Sequence, residues 1–328
     1  MIVEFVENPI DIITKAIEDL EKNQDKNKDD CWNTKNSFYG EIDCPEKLAF
    51  VFPGQGSQYT FMGKDLIQNF PEARKTLATA NDAFIASKKL TDFIFPELTG
   101  KDNEKVQIEE NLRSTDIAQP AIGAISLSMV KVLQRFGIQP DAACGHSFGE
   151  LSALFSSGRF DEQTFFSLSV ARGKYMSEAG GTGDKGGMLA VKAPMEQIDE
   201  LIKTTGCDVI LANRNSPDQG ILSGPTDAIM QIKSICKEKK IRATVLPVAA
   251  AFHSKLVQSA AEPFKAKIDS VDFLDSRIPV YSNTTAMPYP DAGKETKKIL
   301  GNHLMNPVNF IEEIQNMYQN GISIFVEV

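Results

Sequence analysis

The pentapeptide Gly145-His146-Ser147-Phe148-Gly149, directly after the apolar run Ala142-Ala143-Cys144, constrains this chain more than any other stretch. A serine between two glycines, entered from an apolar run and left through the helix-forming Glu150-Leu151-Ser152-Ala153-Leu154, reads as a strand–turn–helix nucleophile elbow. The glycines are expected to give the chain room to turn, which exposes the hydroxyl and leaves the Phe148 N–H free to meet an oxyanion. Such a turn can also be an ordinary strand-to-helix connection. It carries chemistry only if a base, an anion partner and a second oxyanion donor lie elsewhere.

The 328 residues, 42% of them hydrophobic, suffice for a substantial core in one large domain or two unequal ones. A formal charge of -9 without any basic block argues against binding to nucleic acid or a membrane surface. It leaves room for one locally placed cation facing an anionic substrate. Cys31, Cys44, Cys144, Cys207 and Cys236 are odd in number and far apart, which favours reduced thiols in a cytoplasmic protein. Cys144, inside the apolar run, reads as core. No run of 18 apolar residues and no basic-then-apolar N-terminus is present, so neither a membrane span nor a signal peptide is expected.

Residues 1–46 read as a helix and linker: Ile10, Ile13, Ala16-Ile17 and Leu20 recur at helical spacing, and Asn23 to Asp30 is a polar run. A disordered leader is the alternative. From Lys47-Leu48-Ala49-Phe50-Val51-Phe52 a buried strand runs into the glycine-rich Pro53-Gly54-Gln55-Gly56. Helical patterns fill much of 64–94 and 118–136 before the elbow. Helices alternating with short buried strands predict an α/β fold around a mostly parallel sheet, with sites at the carboxyl ends of its strands. Residues 186–248 carry the order β-α-β-β-α-β of a ferredoxin-like subdomain, inserted between the halves 47–185 and 249–328 of the larger domain. A cleft between the two bodies is the natural binding site. Strands are expected at Ile278–Ser282 and Ile322–Val328, and a chain ending on a strand suggests a piece of a longer polypeptide.

A serine nucleophile needs a base, and the chain has three histidines: His146, His253 and His303. His146 neighbours the serine in sequence but should point away from its hydroxyl. His253, in Ala251-Phe252-His253-Ser254 just after the inserted subdomain, is the leading candidate, and His303 is a second. A positioned imidazole taking and returning the Ser147 proton would supply about 10²- to 10⁴-fold.

Four segments carry a family resemblance in the family's order: Phe52-Pro53-Gly54-Gln55-Gly56-Ser57-Gln58; Gln119-Pro120-Ala121; Gly145-His146-Ser147-Phe148-Gly149-Glu150 followed by Ala171-Arg172-Gly173-Lys174; and Ala251-Phe252-His253-Ser254. Over about 47–328 the chain resembles the malonyl-CoA:acyl-carrier-protein transacylases and, more closely, the acyltransferase domains of polyketide and polyunsaturated fatty acid synthases. The fold this implies is an α/β-hydrolase-like large domain with a ferredoxin-like insert. The resemblance implies that Ser147 is acylated, that His253 is its base, and that the oxyanion sits between the backbone N–H groups of Phe148 and Gln55. Gln119, His146 and Asn213 would line the substrate pocket, Asn213 within the loop-like Asn213-Arg214-Asn215-Ser216-Pro217. The base would be oriented by a backbone carbonyl near Asn302-His303, where the family often carries Gln or Asn instead of His303. Arg172 would select a malonyl carboxylate through a two-pronged, charge-assisted contact. Phe252 would disfavour a branching methyl, by only about 1–3 kcal/mol.

The resemblance implies no bound cofactor and no metal. Malonyl-CoA and the phosphopantetheine arm of an acyl carrier protein would serve as substrates, with flanking synthase domains as further partners. Two other readings compete with malonyl transfer: an acyl hydrolase clearing carrier-bound chains, and a catalytically silent docking domain.

Overall fold

The computed structural model describes residues 2–3, 9–22, 32–33, 37–39, 46–98, 100, 103–179, 183–248 and 250–328. Residues 1–46 form one unit and residues 47–328 another. In the first, Pro9–Lys22 is a helix where apolar residues recur at helical spacing. Beside that reading stands an unexpected three-stranded antiparallel sheet of Ile2–Val3, Ser37–Tyr39 and Trp32–Asn33. Its strands are two or three residues long, too short to leave an alternation in the sequence. The polar run 23–30, together with Cys31 and Cys44, lies outside the described residues.

In the second unit Lys47–Phe52 pairs in parallel with Ala142–Gly145 on one side and Ile322–Glu327 on the other, so Phe50 lies opposite both Ala143 and Val326. Every residue of Ala142–Gly145 is buried, which explains why this strand is apolar throughout instead of alternating. The expected strand at Ile278–Ser282 shrinks to two isolated bridges, Val280 with Ala143 and Tyr281 with Pro288. Ala143 N–H donates to Pro279 O at 3.0 Å and Tyr281 N–H to Ala143 O at 2.9 Å, while Pro279 has no N–H with which to extend the ladder.

Helices cover this sheet. Gly149–Ser156 packs on Lys47–Phe52 and Ala142–Gly145, and the 21-residue helix Thr115–Arg135 packs against Glu162–Glu178 and Pro71–Ala83. Thr115–Arg135 is long and apolar enough to cross a membrane, yet 78% of its most apolar window is buried inside the fold. Phe50, Phe52, Phe148, Phe165, Phe166 and Phe264 are fully buried in the main core. Each such ring contributes about 1.5–3 kcal/mol on leaving water.

Between the halves of this layer lie, in order, strand Gly187–Lys192, helix Met195–Thr205, strands Ile210–Ser216 and Gln219–Gly224, helix Thr226–Glu238 and strand Arg242–Val245. The strands form an antiparallel sheet with spatial order Ile210–Ser216, Gln219–Gly224, Gly187–Lys192, Arg242–Val245. Leu189, Val191, Ile198, Leu222 and Ile232 give this sheet a core of its own. Its outer strand is tied back to the larger layer where Val308 N–H donates to Ala212 O and Arg214 N–H to Val308 O, both at 2.8 Å. That tie carries Asn213 and Asn215 to the edge of the elbow.

Candidate active site

Local backbone geometry builds the elbow. Ser147 itself adopts the left-handed conformation, with φ 51°, which costs a β-carbon residue about 1–3 kcal/mol and recurs at functional turns. The flanking glycines therefore do something other than relieve the turn. A Cβ on Gly145 would stand 2.1 Å from the Gly149 carbonyl carbon, and one on Gly149 would stand 2.2 Å from Phe52 O. Strand, elbow and helix cross too closely for any side chain. His146 N–H donates to Phe52 O at 2.9 Å, and Ser147 N–H donates to Asn283 Oδ1 at 2.6 Å. Asn283 Nδ2 in turn donates to Gly145 O and Glu313 Oε2, so a residue from a distant segment clamps the apex.

Ser147 Oγ lies 2.9 Å from His253 Nε2. His253 Nδ1 faces the carbonyl oxygens of His303 at 3.2 Å and Asn306 at 3.0 Å. A carbonyl can only accept, so the ring proton sits on Nδ1 and Nε2 keeps a lone pair facing the serine hydroxyl. Burial first, then the neighbouring His303 and Arg172, lower the His253 pKa to about 3. The imidazole is thus a neutral acceptor at neutral pH. Two main-chain carbonyls orient it in place of a carboxylate.

Arg172, on the helix Glu162–Glu178, is fully buried. Its Nη2 donates to Ser147 Oγ at 3.1 Å, and its Cζ lies 5.8 Å from the centre of the Phe148 ring. Burial, offset by Glu150, lowers the Arg172 pKa to about 9, so the guanidinium remains charged at neutral pH. The same residue meets the His303 side chain through Nε at 3.1 Å and Nη2 at 3.0 Å. His303 Nδ1 stands 2.9 Å from Glu150 Oε2.

Ser147, His253 and Arg172 open into a cavity of about 170 Å³ that Gln55, Gln119, His146, Asn213 and Phe252 also line. The Gln55 side chain is held by Thr115 Oγ1 at 3.1 Å, and Gln119 Nε2 lies 3.4 Å from Gln55 Oε1. His146 does not touch the serine hydroxyl; its Nε2 pairs with Asn215 Oδ1 at 2.8 Å. Asn213 is buried, and its Oδ1 has no partner among the described residues. The Phe148 ring is core, packed on Phe165 with the Arg172 guanidinium beside it. Among the described residues, neither the Phe148 N–H nor the Gln55 N–H donates to a protein acceptor.

Sequence reasoning missed Asn283 and the Asn306 carbonyl, and it named Asn215 only as part of the loop around Asn213. Glu150 carries a signal of its own, since a carboxylate beside Leu151-Ser152-Ala153-Leu154 must find partners if the helix is buried. Here Asn283 N–H and Tyr289 Oη–H donate to its Oε1 at 2.9 and 2.8 Å.

A serine elbow with a main-chain-oriented histidine, set in an α/β layer beside a buried cation, is equipped for acyl transfer through an acyl-serine. Residues 49–328 match the acyl transferase domain family. A malonyl CoA-acyl carrier protein transacylase of Bacillus subtilis (strain 168) is 33% identical over 286 residues, covering 86% of this chain and 86% of that protein. A polyunsaturated fatty acid synthase polypeptide of Thraustochytrium sp. (strain ATCC 26185 / S-3) is 29% identical over 291 residues, which is 85% of this chain but 10% of that much longer protein. The crystal structure of a malonyl CoA-acyl carrier protein transacylase from Clostridium perfringens matches with a TM-score of 0.76 at 32% identity, over 86% of each chain. The chain belongs to the acyl transferase domain family.

Proposed function

We propose that this chain moves a malonyl group from malonyl-CoA to the phosphopantetheine thiol of an acyl carrier protein through an acyl-enzyme on Ser147. The observation that carries this reading is the fully buried guanidinium of Arg172, 3.1 Å from the nucleophile. A buried cation inside an acyl pocket is costly unless it meets an anion, and the distal carboxylate of a malonyl group supplies one. A hydrolase for neutral acyl chains would gain nothing from it.

In this reading His253 Nε2 takes the Ser147 proton as Oγ adds to the thioester carbonyl. The oxyanion is held by the main-chain N–H groups of Phe148 and Gln55, each worth about 3–4 kcal/mol when preorganised. As the tetrahedral adduct collapses, the C–S bond breaks and His253 returns the proton to the departing CoA sulfur. The carrier thiol then runs the same steps in reverse, giving its proton to His253 and leaving with the malonyl group. Gln119, His146 and Asn213 line the acyl and thioester path. Phe252 occupies the space a methyl branch would need, and packing of that kind discriminates by about 1–3 kcal/mol.

The same proposal extends to architecture and setting. An α/β-hydrolase-like layer with a ferredoxin-like insert at 186–248 accounts for the antiparallel β-α-β-β-α-β segment and its separate core. Work within a polyunsaturated fatty acid synthase, beside further domains, is supported by the synthase relative, of which the chain covers 10%; work within a polyketide synthase and in the cytoplasm belongs to the same proposal. No resident cofactor is needed for any step.

Intact mass measurement after separate incubation with malonyl-, methylmalonyl- and acetyl-CoA tests the loading half. A malonyl adduct should form fastest and vanish in Ser147→Ala. Labelling of Ser147→Ala to the wild-type extent, or no adduct from any of the three, would contradict the proposal.

A further inference from the structure

The Arg172 guanidinium has five N–H donors, and their distribution is uneven. Nε–H and one Nη2–H converge on His303 Nε2 at 3.1 and 3.0 Å, and Nη2 also reaches Ser147 Oγ at 3.1 Å. Nη1 donates to no protein acceptor among the described residues. For His303 Nε2 to accept, its ring proton must sit on Nδ1, which stands 2.9 Å from Glu150 Oε2. The other Glu150 oxygen is already taken by Asn283 N–H and Tyr289 Oη–H. Arg172 and Glu150 are fully buried and His303 is 2% exposed.

A neutral imidazole therefore separates a buried carboxylate from a buried guanidinium. Direct contact between Glu150 and Arg172 would fill the arginine with an internal carboxylate that competes with the substrate's. Through the imidazole, Glu150 still offsets the buried charge, but it leaves Nη1, and the end of the fork where Nη2 meets Ser147 Oγ, clear of any internal carboxylate among the described residues. A carboxylate can meet a guanidinium on its Nε/Nη2 side or on its Nη1/Nη2 end. His303 occupies the first.

Resting on the reading of Arg172 as the partner of the acyl carboxylate, we propose that the His303 side chain, its Nδ1 facing Glu150 Oε2, is a positioning and specificity-determining residue that closes the Nε side of Arg172 and presents its Nη1/Nη2 end to a dicarboxylic acyl group. This role is separate from that of the His303 main-chain carbonyl, which orients His253 and survives any side-chain replacement.

The test compares single-turnover acylation of Ser147 by malonyl-CoA and by acetyl-CoA in wild type, His303→Leu, His303→Phe, His303→Gln and Arg172→Ala. The readout is the malonyl-to-acetyl rate ratio within one preparation, so a partly unfolded sample lowers both rates alike. Loss of the acceptor in His303→Leu or His303→Phe should lower the ratio by about 10- to 100-fold, the range for a hydrogen bond to a charged group. His303→Gln, whose amide oxygen can accept from Nε, should keep it within about threefold. An unchanged ratio in the Leu and Phe variants alongside a lost ratio in Arg172→Ala would overturn the role of His303 and leave the carboxylate reading intact. Equal loss in His303→Gln and His303→Leu would also overturn it, because shape and not the acceptor would then be what matters. An unchanged ratio in Arg172→Ala itself would remove the carboxylate reading, and the role of His303 with it.

Discussion

His253 is useful as a base because it is neutral and because its proton is on the correct nitrogen. Both properties come from its surroundings: burial, then the neighbouring His303 and Arg172, disfavour the charged ring, and two carbonyls fix Nδ1–H. The active form is the neutral one, and a pKa lowered to about 3 means that protonation removes it only far below the ordinary value of 6.5. The rate of malonyl loading under kcat/KM conditions should therefore show no acid limb near pH 6.5, and it should fall only as the pH approaches the range where the fold itself fails. A titration of loading centred near 6.5 would show that His253 is solvated and not held as described. Ser147 and His253 could be singled out from their own segments, whereas Arg172, Gln55 and Gln119 were named through the family resemblance that the four motifs carry, and all five line one cavity. Asn283 and the Asn306 carbonyl could not be named either way, since nothing in their own neighbourhoods marks them. They matter only because the chain folds them against the elbow, and the His303 side chain meets Arg172 across 131 positions of sequence.

The elbow is an element whose sequence pattern was legible while its physical cause was not. The glycines suggested freedom to turn, yet the left-handed residue is Ser147, and Gly145 and Gly149 are instead pressed against neighbouring backbone. Gly149→Ala should cost about 3 kcal/mol, at the upper end for overpacking, because its Cβ would lie 2.2 Å from Phe52 O, which cannot swing away as a side chain would. It should also slow loading by about 100-fold, since the shift moves Ser147 relative to His253. Gly206→Ala is the contrast. Gly206 is left-handed at φ 63° with nothing within 4 Å of an added Cβ, so alanine there should cost about 1–2 kcal/mol and leave loading intact. Urea midpoints and loading rates for the pair check this, and wild-type loading by Gly149→Ala would refute the close-approach account. Strand limits were readable where apolar runs are uninterrupted, as at Lys47–Phe52. They were misread at Ile278–Ser282, where the pattern is apolar but Pro279 interrupts the donors a ladder needs.

At the scale of the whole molecule, alternating helices and buried strands made the α/β layer visible in the sequence, and the change of rhythm after residue 186 marked the antiparallel segment. The small sheet of the N-terminal unit was invisible, because strands of two or three residues carry no periodicity. The cavity draws on both sheets of the larger unit: Ser147, Arg172 and His253 come from the parallel layer, and Met188, Asn213, Asn215 and Ile221 from the antiparallel one. A cavity of about 170 Å³ has room for a short acyl group beside Ser147. The fate of the acyl group is accordingly what separates transfer from hydrolysis. The decisive measurement is discharge: malonyl-loaded protein, freed of CoA, is mixed with holo carrier protein, with apo carrier protein, or with buffer alone, and both proteins are followed by intact mass. The malonyl group should leave Ser147 quickly only with the holo carrier and reappear on its phosphopantetheine thiol. Loss at the same rate in all three mixtures, with free malonate as the product, would contradict the transferase account.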